Sequence, residues 1–261
     1  MLGQAMVRTA ISNKFEFFTA CRNDECSFKL DVLNFHDLEQ DFIDFIVSNK
    51  IEYVVNCIGV LVDESSKNFR NSIEINGLFP INLAAICSSV NVKLIHISTD
   101  CVYSGSSAPI EHSQTPDPKD PYGVSKYIGE FSKDSCMVIR TSIIGEDMSP
   151  KPQGLLNWVL SNNNASIHGF TNARWSGVTT DYLAYFLLEK IIRGTKYRNG
   201  QYNLATNCIS KFDLIQRIID IYDLQISLKR HELKSPLNKC LLSDFENIPN
   251  IHVQLSKEFV G

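Results

Sequence analysis

From Phe15 to Thr141, short and nearly continuous apolar runs alternate with longer stretches whose apolar residues recur at helical spacing. That alternation dictates strands joined by crossover helices in a parallel sheet. Phe15 to Ala20 reads as a strand, Asp37 to Ser48 as a helix with Leu38, Phe42 and Phe45 on one face, and Tyr53 to Ile58 as a buried strand ended by Gly59. A helix from Ser72 to Val90, the strand Lys93 to Ser98, a helix from Pro121 to Lys133 and the strand Met137 to Thr141 follow. Strands this uniformly apolar suit a sheet covered on both faces, so the expected class is α/β, a Rossmann-like doubly wound parallel sheet.

Beyond Gly145 the texture changes. Glu146 to Gly169 is rich in Pro, Gly and Asn and holds one helix around Leu155 to Val159. A helix from Thr180 to Arg193, a strand from Gln201 to Ala205 and a helix from Ser210 to Tyr222 come next, Ser210 and Asp213 resembling a capping box. The expected division is a nucleotide-binding domain over 1–145 and 177–205, with a small interleaved substrate lobe over 146–176 and 206–261. At 261 residues and 44% hydrophobic, the chain is long enough for one large core with such a lobe.

Charge and composition narrow the function classes. With 25 basic and 29 acidic residues and a net charge of −4, there is no basic run to neutralise a row of phosphates, which argues against nucleic acid as a partner. The greasiest segment, Ile51 to Val62, is interrupted by Glu52 and Asn56 and falls short of the ~20 apolar residues a membrane helix needs. Met1 to Gln4 lacks the features of a secretion signal. A soluble, cytoplasmic protein is expected. Cys57, Cys87, Cys101 and Cys136 sit in apolar runs and no Cys-x-x-Cys occurs, so the eight cysteines are expected to be reduced thiols with no metal site.

The segment Asp120-Pro121-Tyr122-Gly123-Val124-Ser125-Lys126 carries chemistry. Asp120 can cap a helix and Pro121 suits its first turn, which puts Tyr122 and Lys126 on one face. An ammonium near a phenol stabilises the phenolate and eases proton donation to a developing alkoxide, the donor that a ketone reduction requires. Read alone, Tyr-x-x-x-Lys is also a common surface-helix pattern. Ser98-Thr99-Asp100, however, ends a strand upstream, and the C-terminal edge of a parallel sheet is where ligands sit. Read alone, Thr99 is a strand-terminal turn residue.

Together, Ile97-Ser98-Thr99-Asp100-Cys101-Val102-Tyr103-Ser104-Gly105, Tyr122-Gly123-Val124-Ser125-Lys126 and Gly129-Glu130 resemble the extended short-chain dehydrogenase/reductases, especially the dTDP-4-dehydrorhamnose reductase branch. That branch usually reads Ser-Thr-Asp-Tyr-Val-Phe at the strand end, so Cys101 is a departure. The resemblance implies that Thr99 binds the reacting carbonyl with Asp100 beside it, that Tyr122 is the general acid, and that Lys126 holds the nicotinamide ribose and depresses the tyrosine pKa. It further implies that Asn56, Ile58 and Gly59 line the cofactor, that Asn76 supports the site, and that Asp31 and Val32 lie beside the adenine. Arg22, where an acidic residue would select NAD, favours NADP(H); a solvated surface arginine is the competing reading. Arg174 and Trp175 resemble this branch's substrate region, suited to a nucleotide diphosphate and base, against Trp175 as core with Arg174 reaching water.

The implied activity is NADPH-dependent reduction of a nucleotide-linked 4-keto-6-deoxysugar in cell-surface polysaccharide biosynthesis. A nucleotide-sugar epimerase or dehydratase, and a non-catalytic binding subunit on the same fold, are the alternatives. The partner implied is a nucleotide-sugar substrate, with room for a homodimer. This family opens on a strand and a Gly-x-x-Gly-x-x-Gly turn, and Met1 to Val7 resembles only its last third, with Gly3 as the third glycine. The expectation is a chain short of the first strand and two glycines, through truncation, a start placed at an internal methionine or genuine loss, and a correspondingly weak hold on cofactor.

Overall fold

Residues 1–105 and 109–256 are described by the computed structural model. Helix α1 (Leu2–Ser12) leads to two short paired strands, β1 (Ala20–Cys21) and β2 (Phe28–Lys29), then α2 (Phe35–Ser48) and β3 (Tyr53–Asn56). Helices α3 (Val62–Lys67) and α4 (Phe69–Ser72) run through a π-turn at Ile73–Leu78 into α5 (Phe79–Ser89). Strand β4 (Lys93–Thr99), helix α6 (Pro121–Gly129) and strand β5 (Met137–Thr141) come next. The chain continues through β6 (Ile143–Ile144), α7 (Leu155–Ser161), β7 (Ser166–Phe170), β8 (Ala173–Trp175) and β9 (Val178–Thr179). Helix α8 (Thr180–Tyr185) continues as a π-helix over Phe186–Arg193, followed by β10 (Gly200–Asn203) and β11 (Ile209–Ser210). Helix α9 (Lys211–Tyr222), strands β12 (Ser227–His231) and β13 (Leu237–Asn238) and helix α10 (Ile251–Leu255) complete the order.

The central sheet is parallel throughout, in the order β10-β5-β4-β3. Every residue of β5 is buried, as a strand covered on both faces must be. One face packs on α2 and α5 through Phe42, Ile46, Phe79, Leu83, Leu94 and Val138; the other packs on α1 and α8 through Ile95, Met137, Ile139, Leu183 and Leu187. Among the described residues no strand pairs with the free edge of β3, and β1 and β2 form a separate ribbon. A third cluster gathers Leu156, Val159, Ile167 and Trp175 with Leu214, Ile215 and Ile218 beneath the small sheets β11-β8-β13 and β12-β7.

Two expectations need correcting. The strand read at Phe15 to Ala20 shrinks to Ala20–Cys21; Phe17 and Phe18 stay exposed, and the Phe15 N–H closes onto the Ala10 carbonyl to end α1. Nor are all eight cysteines free: Cys21 pairs with Cys26 and Cys208 with Cys240, leaving Cys57, Cys87, Cys101 and Cys136 as thiols. Among the described residues no helix is long and apolar enough to cross a membrane.

Candidate active site

The C-terminal end of β4 and the start of α6 meet here. Thr99 ends β4 and caps the following turn, its Oγ1 accepting from the Cys101 N–H at 3.1 Å. Asp120 caps α6 by accepting from the Gly123 N–H at 2.8 Å, and Pro121 opens the helix. Gly123 is required there, because a Cβ would stand 2.2 Å from the Cys101 carbonyl oxygen. This close approach brings Tyr122 against the strand end, beside the buried Thr99 hydroxyl.

Lys126, one turn on, is buried and donates to the Ile97 carbonyl at 2.6 Å. Burial pushes it down to about 8, with the charge of Glu130 acting in the opposite direction. The expected depression of the tyrosine is absent. Burial raises the Tyr122 phenol above its ordinary range, and neighbouring Cys101 and Asp100 reinforce burial against the opposing effect of the Thr99 hydroxyl. The ammonium is turned to the strand carbonyl rather than to the phenol.

Asn76, on the π-turn and fully buried, fastens two elements at once. Its Oδ1 accepts from the Val60 N–H at 2.9 Å, and its Nδ2 donates to the Val60 carbonyl at 3.1 Å and the Ser125 hydroxyl at 3.0 Å. The loop after β3 is thereby pinned to α6. Asn56 shapes the start of that loop, its Oδ1 accepting from the Ile58 N–H at 3.0 Å while its Nδ2 faces His96 Nδ1 at 3.2 Å. Burial holds His96 well below its ordinary range, so the ring is neutral and can accept.

The residues present fit a nicotinamide dinucleotide. At Gly59 the backbone is bare between Asn76 and Lys126, and a Cβ would reach within 3.1 Å of Asn76 Oδ1 and 4.0 Å of Lys126 Nζ, filling a notch that leads to the lysine. Gly3, on the first turn of α1, faces Cys57 beside the same loop. Val32 and Ile58 pack on one core cluster, and Asp31 caps the turn after β2 by accepting from the Leu33 N–H. Arg22 is exposed inside the loop closed by Cys21 and Cys26.

In the lobe, Arg174 is exposed and its guanidinium donates to the Cys208 carbonyl at 3.2 Å. Trp175 is buried, with its Nε1 donating to the Ser142 hydroxyl at 2.6 Å and the Lys211 ammonium 5.1 Å from its ring centre. The tryptophan is therefore core under the lobe, with no open face for a base to stack on. Sequence reasoning missed Ser125 and His96. Only Ser125, inside the Tyr-x-x-x-Lys segment, carried a local signal. A cavity of about 580 Å³ lined by His112, Tyr127, Glu130, Arg140 and Tyr202 touches none of Thr99, Tyr122 and Lys126.

The chain and its fold have relatives. The chain is 23% identical over 252 residues to the probable low-salt glycan biosynthesis reductase Agl14 of Haloferax volcanii, across 92% of this chain and 83% of that one. A dTDP-4-dehydrorhamnose reductase of Bacillus anthracis, solved in complex with NADP, superposes with a TM-score of 0.80 at 19% identity over 97% of this chain and 92% of that one. A hypothetical dTDP-4-dehydrorhamnose reductase of Sulfolobus tokodaii gives 0.77 at 24% identity over 92% and 88%. Residues 1–235 match the family described as the RmlD substrate binding domain. The chain belongs to that family, the dTDP-4-dehydrorhamnose reductase-like group of extended short-chain dehydrogenase/reductases.

Proposed function

We propose that the chain reduces the ketone of a nucleotide-linked 4-keto-6-deoxysugar with NADPH, as in the formation of a deoxysugar for cell-surface polysaccharide. The observation that carries this reading is the juxtaposition of Tyr122 with Thr99 at the end of β4, one helical turn from buried Lys126, with α6 held against the strand end at Gly123. Hydride comes from the cofactor when it is bound. Thr99 and Tyr122 donate hydrogen bonds to the ketone oxygen, which draws charge onto that oxygen as the carbon is attacked. The phenol then gives its proton to the nascent alkoxide; its raised pKa keeps that proton in place across neutral pH. Lys126 is the residue that would hold the ribose hydroxyls of the bound cofactor, and its charge would stabilise the phenolate. Exposed Arg22 supports NADPH over NADH through a 2′-phosphate.

The test is NADPH consumption with dTDP-4-dehydro-L-rhamnose. Tyr122→Phe is expected to lower turnover by about 10²- to 10⁴-fold while leaving NADPH affinity within a few-fold. An unchanged rate in the phenylalanine variant, or no consumption by the unaltered chain, overturns the proposal.

A further inference from the structure

The ribbon of β1 and β2 has a firm stem and a soft tip. Across the stem the Phe28 N–H donates to the Thr19 carbonyl at 2.9 Å and the Leu30 N–H to the Cys21 carbonyl at 2.7 Å. The Thr19 and Ser27 hydroxyls each accept from the other residue's backbone N–H, at 3.2 and 3.1 Å. Phe28 fastens the stem to α2, its ring 5.4 Å from that of Phe42 and 5.2 Å from that of Phe45. At the tip, Arg22, Asn23, Asp24 and Glu25 are all exposed. Among the described residues the ion pair that ties them down is Asp24 to Lys29 at 2.7 Å, and it lies in water, where such a contact adds little. What closes the tip is covalent: the bridge between Cys21 and Cys26, both half-buried and so open to solvent.

Arg22 directly follows Cys21, so the bridge acts on the backbone that carries the guanidinium. The tip sets this one cation beside two carboxylates, Asp24 and Glu25, within four consecutive residues. Which sign is presented at the C-terminal end of β1 therefore depends on how the tip is held. A phosphate there requires the arginine to be presented and the carboxylates held off, whereas a free ribose diol suits a carboxylate that accepts from its hydroxyls. Among the described residues Arg22 has no carboxylate oxygen at salt-bridge distance. A tip closed by sulfur has far fewer conformations than one closed only at its stem, and the bridge thus lowers the ordering cost of gripping a phosphate.

We infer that the bridge between Cys21 and Cys26 positions Arg22 for the 2′-phosphate of NADPH, and that its reduction relaxes the preference for NADPH over NADH, so that the choice of cofactor is redox-sensitive. The inference rests on the reductase reading above, in which Arg22 meets that phosphate, and adds the element that holds it there. Opening the bridge takes a dithiol: one of its thiolates attacks a bridge sulfur, the S–S bond breaks as a mixed disulfide forms, and its second thiol displaces the remaining cysteine. The dithiol leaves as its own disulfide, and its two electrons and two protons end on Cys21 and Cys26 as thiols. The bridge between Cys208 and Cys240 is less accessible, since Cys240 is 4% exposed.

Calorimetric titration of the full chain with NADPH and with NADH, which differ only in the 2′-phosphate, tests this. The Cys21→Ser, Cys26→Ser double variant is expected to bind NADPH about three- to tenfold more weakly, the scale of re-ordering a long side chain and its loop, with NADH binding unchanged. Dithiothreitol should produce the same loss in the unaltered chain and no further loss in the double variant, which keeps Cys208 and Cys240. In an Arg22→Gln background, loss of the bridge should change neither affinity, because the bridge acts through the arginine; a merely structural role would not give that pattern. The inference is overturned by an NADPH to NADH affinity ratio that ignores the bridge, by a parallel loss of NADH, by the same loss in the Arg22→Gln background, or by a dithiothreitol effect of equal size in the double variant. Failure of the unaltered chain to bind either dinucleotide overturns it together with the reductase reading. A bridge-dependent ratio without ketone reduction upholds the inference and removes the reductase reading, and ketone reduction with NADPH whose affinity ignores the bridge does the reverse.

Discussion

Lys126 is held by two opposing demands, since the proposed mechanism uses its charge and its surroundings penalise it. Burial brings it to about 8 from an ordinary 10.5, so the folded protein releases this proton earlier than the unfolded chain does. Between those values the unfolded state binds more protons, and the contribution of Lys126 to stability rises with pH; below about 8 the full burial cost is present. The charge that the proposed catalysis uses runs the other way. The kcat/KM for the ketone is expected to fall as pH rises through about 8, and in Lys126→Met the residual rate should be flat across the same range. A profile with the same alkaline limb in both proteins would assign that limb to another group.

Helix α6 and the helical run carrying Asn76 touch at backbone distance, and this contact sets the position of both halves of the site. A Cβ on Gly129 would stand 2.4 Å from the Asn76 carbonyl oxygen, so Gly129→Ala must push the two helices apart. The expected result is a loss of about 1–3 kcal/mol in urea unfolding, accompanied by weaker NADPH binding as Asn76 releases Val60 and Ser125. Elements of this kind were legible in the sequence because β4 and β5 are largely buried on both sides and α6 announces itself with Asp120 and Pro121. The lobe was not. Its strand β12, Ser-Leu-Lys-Arg-His, is almost entirely exposed and shows no apolar alternation, and β11 and β13 are two residues each. Lys239, just past β13, is brought beside Arg174 by a parallel contact between β13 and β8 that no local spacing reveals. Likewise, sequence spacing does not determine which cysteines pair. Thr99, Tyr122 and Asn76 were found through the resemblance of their surroundings, whereas the upward shift of the phenol depends on packing that no motif records.

For the molecule as a whole, the buried pair of Arg140 on β5 and Glu130 after α6 gathers parts distant in sequence. Arg140 donates to both Glu130 oxygens, at 2.9 and 2.6 Å, and to the His112 carbonyl at 3.0 Å; Glu130 also accepts from Ser98 on β4 and Gln201 on β10. Replacing Glu130 alone with Gln strands a guanidinium that is 1% exposed, and the expected cost is about 3–5 kcal/mol by chemical denaturation. The Arg140→Met, Glu130→Leu double variant should recover much of that loss. If it is no more stable than Glu130→Gln, the hydrogen bonds of the network outweigh the stranded charge.

The bond between Cys208 and Cys240 also changes what it means to cut this chain. Residues 234–236, on the surface just before β13, are exposed, and they lie inside the span that the disulfide closes. A single peptide cleavage there severs the backbone yet yields no second molecule, because the covalent path from one end to the other still runs through sulfur. The segment carrying Lys239 would remain attached beside Arg174, and the two pieces would part only after reduction and unfolding.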